Sequence, residues 1–346
     1  MTLRIRESEP LASRTTLELG GPARFFAEVA SLAEIEEAVR FARERGLRLG
    51  ILGGGSNLLV ADEGFDGLVA AISSRGRTSK PGPDGAVLVR AEAGESWDEL
   101  VGWTVAQGWQ GLECLSGIPG LVGSTPVQNV GAYGQEVADT IVEVEAYDRE
   151  RGERRLLARA ECGFGYRDSS LKRAGGRFVV SAVTFALRPG APAPIRYGEL
   201  QRTLGVAEER DLARVREVVL QLRRGKSMVH DASDPNRRSA GSFFTNPIVE
   251  ASVADEVARR SGEASMPRWP QPDGRAKLAA GWLIERAGIV KGLREGHVGV
   301  SSAHALALVH HGGGTTRELL ALADRVVGAV EQRFGVRLER EPVMLG

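Results

Sequence analysis

Residues 53–57 combine residue types that can bind an anion without a charged side chain. The run reads Gly53-Gly54-Gly55-Ser56-Asn57 and follows an apolar stretch, 47–52, with the composition of a strand. Consecutive glycines can point successive backbone N–H groups at one anion, and the serine and asparagine add donors. The apolar Leu-Leu-Val that follows does not match the G-x-G-x-x-G loop that opens a helix in dinucleotide-binding proteins. A tight turn between two strands explains the run equally well.

A second stretch, 116–134, contains hydroxyls, amides and glycines, and no charged residue occurs before Glu136. Its candidate binding residues are Ser116, Gly117, Ile118, Pro119, Gly120, Gly123, Ser124, Gln128, Asn129, Gly131, Ala132 and Tyr133. Backbone N–H groups and hydroxyls can hold a pyrophosphate without lysine. A surface loop of this length with no function would be unusual. Together with residues 53–57, the stretch favours a large cofactor.

Two shorter segments each carry candidate polar groups. Arg167 lies in Phe-Gly-Tyr-Arg-Asp-Ser (164–169), where its planar guanidinium could hold a carboxylate. A structural ion pair is the alternative for this arginine. Ser242 and Asn246 are the polar positions of Ala-Gly-Ser-Phe-Phe-Thr-Asn-Pro (240–247), which could also be a buried turn.

Other familiar motifs are absent from the sequence. Gly225-Lys226-Ser227 resembles the end of a phosphate-binding loop, but Leu220 stands where that loop needs its first glycine. No G-x-S-x-G occurs, and the five histidines form no H-E-x-x-H. We therefore expect neither a serine-hydrolase nucleophile nor a metal site.

Helices and strands alternate along the chain in a pattern that predicts an α+β fold. The predicted helices are 31–45, 96–108, 211–224, 277–288 and 315–334. The predicted strands are 47–52, 87–94, 140–148 in a hairpin with 154–158, 177–187 as a strand pair, 304–311 and 336–340. Capping boxes are predicted at Ser31/Glu34, Ser96/Glu99 and Thr315/Glu318. A proline-rich connector, 189–195, follows the last strand of the first half.

Composition excludes several classes of protein. The 45 basic and 45 acidic residues cancel, which argues against non-specific binding to nucleic acid or an anionic membrane. Two cysteines in 346 residues provide no disulfide framework. No apolar run approaches the ~20 residues of a membrane-spanning helix. We expect a cytoplasmic protein.

Taken in order, these segments resemble the UDP-N-acetylenolpyruvoylglucosamine reductase family of flavoenzymes. The resemblance covers nearly the whole chain, from 15–26 to 338–346. Residues 53–57 and 117–136 are similar to the family's FAD-binding segments, which other flavoproteins share more loosely. Segments 164–169, 240–247 and 277–285 are more specific to this family. Arg-Tyr-Gly-Glu-Leu (196–200) is similar to the tyrosine-bearing loop of one subclass.

The resemblance implies an activity and a set of site residues. FAD would bind non-covalently to residues 53–57 and to the candidates of 116–134, since neither glycine-rich core contains His or Cys. NADPH would be the co-substrate, and a monomeric enzyme would reduce UDP-N-acetylglucosamine enolpyruvate to UDP-N-acetylmuramate for peptidoglycan synthesis. The implied catalytic residues are Arg167, Ser242 and Glu341, and the implied substrate-binding residues are Tyr197, Lys226, Asn246 and Lys277. The family commonly has a basic residue soon after its C-terminal glutamate; here Pro342-Val343 follows Glu341, so Glu339 stays an alternative.

The resemblance also implies a domain organisation. We expect a two-subdomain FAD-binding module of the vanillyl-alcohol-oxidase type and a smaller α/β substrate domain. Residues 1–75 would form the first subdomain, with 335–346 returning near it, 76–210 the second, and 211–334 the substrate domain. An FAD-dependent oxidase or 2-hydroxy-acid dehydrogenase would explain 53–57 but not the serine and glutamate motifs. A non-catalytic flavin-binding or nucleotide-sugar-binding protein is the remaining alternative.

Overall fold

The structure is a computed structural model that describes residues 3–190, 192, 195–205, 211–263 and 265–345. Residues 191, 193 and 194 of the predicted connector lie outside the described residues, as do positions 210 and 346, where predicted segments end. The helices are α1 (Leu32–Glu44), α2 (Trp97–Ala106), α3 (Ser170–Arg173), α4 (Gly198–Leu204), α5 (Leu212–Arg224), α6 (Ala251–Ser261), α7 (Ala280–Arg286) and α8 (Thr316–Phe334). The strands are β1 (Arg6–Pro10), β2 (Pro22–Val29), β3 (Arg48–Leu52), β4 (Leu58–Val60), β5 (Phe65–Ile72), β6 (Arg77–Pro81), β7 (Val87–Glu92), β8 (Trp109–Gln110), β9 (Gly131–Ala132), β10 (Gln135–Glu136), β11 (Ile141–Asp148), β12 (Glu153–Ala158), β13 (Phe178–Pro189), β14 (Ile248–Val249), β15 (Arg268–Pro270), β16 (Ala276–Leu278), β17 (Arg294–Glu295), β18 (Val298–Val300), β19 (Leu308–His310) and β20 (Val343–Leu345).

The chain forms two compact units, each built from separate stretches of sequence. The first contains the segment up to Glu9 together with Ala23–Gly55 and Asp66–His230. The second contains Pro10–Pro22, Ser56–Phe65 and the chain from Asp231 onward. The predicted three-part division has different boundaries from these units and stays a prediction.

The first unit contains a four-stranded sheet in the order β1-β2-β5-β3, with α1 packed against it. The predicted helix is confirmed: Ile35, Ala38, Val39 and Ala42 are buried on one side of α1. The Ser31 hydroxyl accepts the Glu34 N–H, as a capping box requires. The Glu34 carboxylate accepts from the Ala30 N–H instead of that of Ser31, so only half of the predicted box forms.

A second sheet of the first unit has the order β12-β11-β13-β7-β6, with β8 paired to β13. The predicted β11–β12 hairpin is confirmed. The predicted strand pair at 177–187 is wrong, because β13 runs unbroken between β11 and β7 and is buried along most of its length. The predicted capping box at Ser96 is also wrong, since that side chain makes no capping hydrogen bond.

Helices α4 and α5 share a small apolar cluster in the first unit, and α5 also contacts α2. The cluster contains Cys114, Ile195, Leu200, Leu204, Val215, Val218 and Val219. These contacts hold α5 in the first unit, although the sequence analysis places it in the substrate domain.

The second unit has a core between α6, α7, α8 and short antiparallel sheets. The capping box at Thr315 and Glu318 forms completely. The predicted helix 277–288 is shorter than expected, because residues 276–278 form β16 and α7 begins only at Ala280. The predicted strand 304–311 is reduced to Leu308–His310. The predicted strand 336–340 is wrong; the last strand is Val343–Leu345, which pairs in parallel with β4.

Across the described ranges, no helix is both long and apolar enough to cross a bilayer. The α+β fold class predicted from the sequence is confirmed.

Candidate active site

In the first unit, two of the predicted cofactor-binding segments approach each other backbone to backbone. A Cβ added to Gly53 would lie 2.3 Å from the Ser124 Oγ, and one added to Gly54 would lie 2.7 Å from the Gly120 Cα. Side chains at 53 and 54 would therefore clash with the second segment. Glycine at these positions therefore allows the first segment to lie directly against the second, and backbone N–H groups of such glycine-rich segments can hold a pyrophosphate.

Contacts with α2 and β7 fix the second segment. The Trp97 N–H donates to the Gly120 carbonyl at 3.1 Å, and the Gly123 N–H donates to the Ala93 carbonyl at 2.9 Å. Gly117 has a φ of +72°, a left-handed conformation that favours glycine. Its N–H donates to the Asp98 carboxylate at 2.6 Å.

Arg216 of α5 binds the same carboxylate through both terminal nitrogens, at 2.6 and 2.8 Å. Burial opposes ionisation of Asp98, but Arg216 and the Gly117 N–H more than offset it and lower the pKa of Asp98. Sequence reasoning missed both residues. In the sequence, Asp98 is an acidic residue within the predicted helix 96–108, and nothing there links it to an arginine in a distant helix.

Asn129 connects the second half of the stretch to the segment bearing Arg167. It is buried, and its side-chain nitrogen donates to Glu136 at 2.8 Å and to the Gly165 carbonyl at 2.9 Å. Its Oδ1 accepts the Ala138 N–H at 3.1 Å. This side chain therefore supports the loop from within.

Arg167 is the third residue of a tight turn closed by hydrogen bonds between Gly165 and Asp168. Its φ is +54°, and its NH2 donates to the Gly131 carbonyl at 2.7 Å. The neighbouring acid, Asp168, pairs with Arg173. The guanidinium of Arg167 is thus placed beside the predicted cofactor-binding residue Gly131.

Tyr197 and Lys226, predicted to bind substrate, meet at Tyr133. The two tyrosine rings lie edge to face with centroids 5.3 Å apart. The Lys226 Nζ lies 5.9 Å from the centre of the Tyr133 ring and 2.6 Å from the Glu199 carboxylate. Burial raises the pKa of Tyr133 to about 12, so its hydroxyl stays protonated at neutral pH. Glu199 was not identified from the sequence.

In the second unit, backbone pairing places Glu341 opposite Phe243, the residue that follows Ser242. The Glu341 N–H donates to the Phe243 carbonyl at 2.9 Å, and the Thr245 N–H donates to the Glu339 carbonyl at 3.0 Å. Phe243 and Phe244 are buried in the core and anchor the segment. Glu341 is half-buried, and its backbone pairs with Phe243, directly after Ser242. Glu339 is exposed, and its backbone pairs with Thr245, three residues after Ser242.

Asn57 supports the same segment from the end of the first glycine-rich run. Its Nδ2 donates to the Glu341 carbonyl at 3.3 Å, and its own carbonyl accepts the Val343 N–H at 3.1 Å. The predicted residues of 53–57 are therefore divided: the three glycines belong to the first unit, and Ser56 and Asn57 to the second.

Asn246 and Lys277 lie near each other in the second unit, because β14 begins two residues after Asn246 and pairs Ile248 with Lys277. The Asn246 Oδ1 accepts the Ala280 N–H at the start of α7. The Lys277 Nζ lies 5.9 Å from the Trp269 ring. Among the candidate catalytic residues, the first unit holds Arg167 and the second holds Ser242 and Glu341.

The two glycine-rich segments fit FAD, because Gly54 and Gly120 bring their backbones together and backbone N–H groups and hydroxyls can hold a pyrophosphate without a cationic side chain. A family model described as FAD binding domain matches residues 23–157, which include these segments up to Tyr133. The fold and this site define an FAD-dependent oxidoreductase.

A second family model, described as UDP-N-acetylenolpyruvoylglucosamine reductase, C-terminal domain, matches residues 234–345. The UDP-N-acetylenolpyruvoylglucosamine reductase of Thermobifida fusca is 50% identical over 357 residues, covering 100% of this chain and 99% of that protein. The enzyme of Saccharopolyspora erythraea is 50% identical and covers 97% of this chain and 94% of its own. The crystal structure of the Thermus caldophilus enzyme is 28% identical, with a TM-score of 0.68, and covers 99% of this chain and 100% of its own. The chain belongs to the UDP-N-acetylenolpyruvoylglucosamine reductase family, which confirms the resemblance.

Proposed function

We propose that this protein reduces UDP-N-acetylglucosamine enolpyruvate to UDP-N-acetylmuramate, with NADPH as electron donor, in peptidoglycan precursor synthesis. The observation that carries the proposal is the similarity to reductases of this name over the full length of both chains. The position of Glu341 beside Ser242 supports it, since the rival flavoprotein classes do not require that pair.

The residues have distinct roles in this proposal. FAD, held by the two glycine-rich segments, would supply the hydride transfer between NADPH and the substrate alkene that no side chain can perform. Addition of hydride leaves negative charge beside the substrate carboxylate, as an enolate. Arg167 binds this developing dianion through its planar fork. Ser242 donates the proton that the enolate carbon needs. The carboxyl group of Glu341 is a hydrogen-bonding partner for the same enolate.

The other predicted residues bind the ligands. We assign Gly53, Gly54, Gly55, Ser56 and Asn57 and the candidates of 116–134 to FAD. We assign Tyr197, Lys226, Asn246 and Lys277 to the nucleotide-sugar substrate. We further propose that the enzyme is a cytoplasmic monomer that acts without a metal, a membrane or a nucleic acid. Among the described residues, no group of three His, Cys, Asp or Glu side chains is arranged to hold a metal ion.

Substrate-dependent NADPH oxidation tests the proposal. Purified FAD-loaded protein is mixed with NADPH, and absorbance at the NADPH band is followed before and after addition of the enolpyruvyl substrate. We expect oxidation to begin only when the substrate is added and UDP-N-acetylmuramate to form in equal amount. Oxidation that needs oxygen instead of the substrate would indicate an oxidase, and no oxidation under either condition would indicate a binding protein.

A further inference from the structure

Arg167 has a backbone conformation that its residue type disfavours. It is the third residue of the turn closed by Gly165 and Asp168, and its φ is +54°. A turn with positive φ at this position favours glycine, because a side chain there crowds the backbone. Such a conformation persists at a residue other than glycine where contacts from the surrounding structure hold it.

One such contact comes from Lys172 in α3. The Lys172 Nζ donates to the Arg167 carbonyl at 2.9 Å, five residues back along the chain. The cationic donor makes this hydrogen bond stronger than one between neutral groups. The bond restrains the peptide group directly after the Arg167 Cα, and it thereby restrains the direction in which the Arg167 side chain leaves the backbone.

The residues around Lys172 fix the lysine in turn. The Ser169 hydroxyl accepts the Lys172 N–H at 3.1 Å and donates to the Val127 carbonyl. Leu171 is buried in an apolar core of the first unit. Helix α3 is therefore anchored next to Lys172, and the ammonium group is presented to Arg167 from a fixed base.

The other end of Arg167 fits closely against the second cofactor-binding segment. Its NH2 donates to the Gly131 carbonyl at 2.7 Å, and a Cβ added to Gly131 would lie 3.2 Å from the Arg167 NH1. The guanidinium thus occupies a narrow space. A change in the backbone direction at Arg167 would take the guanidinium away from this position.

We propose that Lys172 is a positioning residue, which holds Arg167 in the left-handed conformation and so keeps its guanidinium beside Gly131. The inference rests on the proposed function, which assigns Arg167 to the developing dianion. Lys172 acts only through Arg167 in this proposal and contacts no reacting atom.

Lys172→Met tests the proposal, because it keeps an apolar stem and removes the ammonium donor. We expect flavin reoxidation by saturating enolpyruvyl substrate to slow about tenfold, since a charge-assisted hydrogen bond is lost. FAD content and the rate of reduction by NADPH should stay as in the parent. Lys172→Arg keeps a cationic donor and should recover part of the rate. In an Arg167→Ala background, Lys172→Met should cause no further loss, because no guanidinium remains to be positioned.

Arg173→Met is the matched control, because it removes a cation from the next position of α3. Arg173 is 53% exposed and donates to Asp168 and Gly163 instead of Arg167. This control should keep the parental rate of reoxidation. An equal loss in the control would overturn the proposal, because the effect would then come from the charge of α3. An undiminished rate in Lys172→Met, a further loss without Arg167, or loss of FAD from Lys172→Met would overturn it too.

A crystal structure of the FAD-loaded Lys172→Met variant separates the inference from the proposed function. We expect Arg167 to leave the left-handed conformation and to lose its hydrogen bond to the Gly131 carbonyl. If both features remain, the inference about Lys172 is overturned, even if the parent turns over the enolpyruvyl substrate. Lack of turnover by the parent would overturn the proposed function, and the structure would still show whether Lys172 holds Arg167.

Discussion

Arg167 is the candidate catalytic residue for which geometry matters most, because a charge alone could come from lysine. We predict that Arg167→Lys lowers kcat/KM for the enolpyruvyl substrate by about 10²-fold, since a lysine cannot present two parallel donors to the developing dianion. FAD should remain bound, and NADPH should still reduce it. Steady-state kinetics with flavin absorbance measures both.

The matched control is Arg173→Lys, which alters the neighbouring guanidinium that pairs with Asp168. This control should retain parental kinetics. Parental turnover in Arg167→Lys would show that Arg167 has a structural role, such as its hydrogen bond to the Gly131 carbonyl.

Ser242 is proposed to donate the proton in the second half-reaction only. We predict that Ser242→Ala slows flavin reoxidation by the enolpyruvyl substrate about 10²–10⁴-fold, the usual cost of losing a positioned general acid. Reduction by NADPH should keep the parental rate, and Ser242→Cys should recover part of the loss because a thiol is the stronger acid. Rapid-mixing absorbance of the prereduced variant at saturating substrate measures this. Reoxidation as fast as in the parent would remove Ser242 from the mechanism.

At the scale of single residues, sequence motifs identified candidate functional residues within short segments, but they did not identify the residues that those segments contact. Arg167, Ser242 and Glu341 were predicted because each lies in a run of distinctive neighbours. Asp98 and Glu199 were missed because their ion-pair partners, Arg216 and Lys226, come from other elements, and such a pairing leaves no local pattern in the sequence.

At the scale of elements, helices α2 and α5 together hold the second cofactor-binding segment through the Asp98–Gly117 contact. We predict that Asp98→Asn weakens FAD binding about tenfold, since it removes the charge from hydrogen bonds with Gly117 and Arg216. Fluorescence titration of the FAD-free protein with FAD measures the Kd. Glu99→Gln, at an exposed position of the same helix turn, should bind FAD as the parent does. If both variants lost FAD affinity equally, the loss would come from the total charge of α2 and not from the contact between Asp98 and Gly117.

Elements with a strong apolar period were predicted well, and short elements were not. Helices α1 and α8 match their predicted stripes because burial of one face decides their structure. Residues 336–340 are strand-like in composition, yet they supply a bridge and loop hydrogen bonds to 243–245 instead of a strand. Residues 277 and 278 begin the predicted helix 277–288, but their pairing with β14 and β15 outweighs their helical propensity.

At the scale of the whole molecule, His310 makes the stability of the second unit depend on pH. The ring is buried; Nδ1 lies 3.0 Å from the Leu17 carbonyl, and Nε2 accepts the Gly314 N–H at 3.1 Å. Both contacts suit the neutral ring with its proton on Nδ1. Burial lowers the pKa of His310 below its ordinary value of 6.5, although the Leu17 carbonyl opposes the shift.

Because the folded state binds this proton less readily than the unfolded chain, the stabilisation is fully present above pH 6.5 and is lost as the pH falls below it. We predict that the urea midpoint of the parent falls between pH 7.5 and 5.5, and that it falls less in His310→Gln. His230→Gln, at an exposed histidine, should follow the parent. The same fall in His310→Gln as in the parent would contradict the assignment.

The pairing of β20 with β4 has a consequence for how the chain is made. The ribosome releases residues 58–60 long before residues 343–345, and these two stretches form one parallel ladder in the second unit. The first unit ends at His230, so all of its chain is translated before more than a hundred residues of the second unit. The second unit must wait until residues 341–345 have been made, because Glu341 and the strand after it are part of its structure. A nascent chain that stalls late in translation would therefore carry a complete first unit and an unfinished second one, with β4 left as an unpaired edge for chaperones or proteases to recognise.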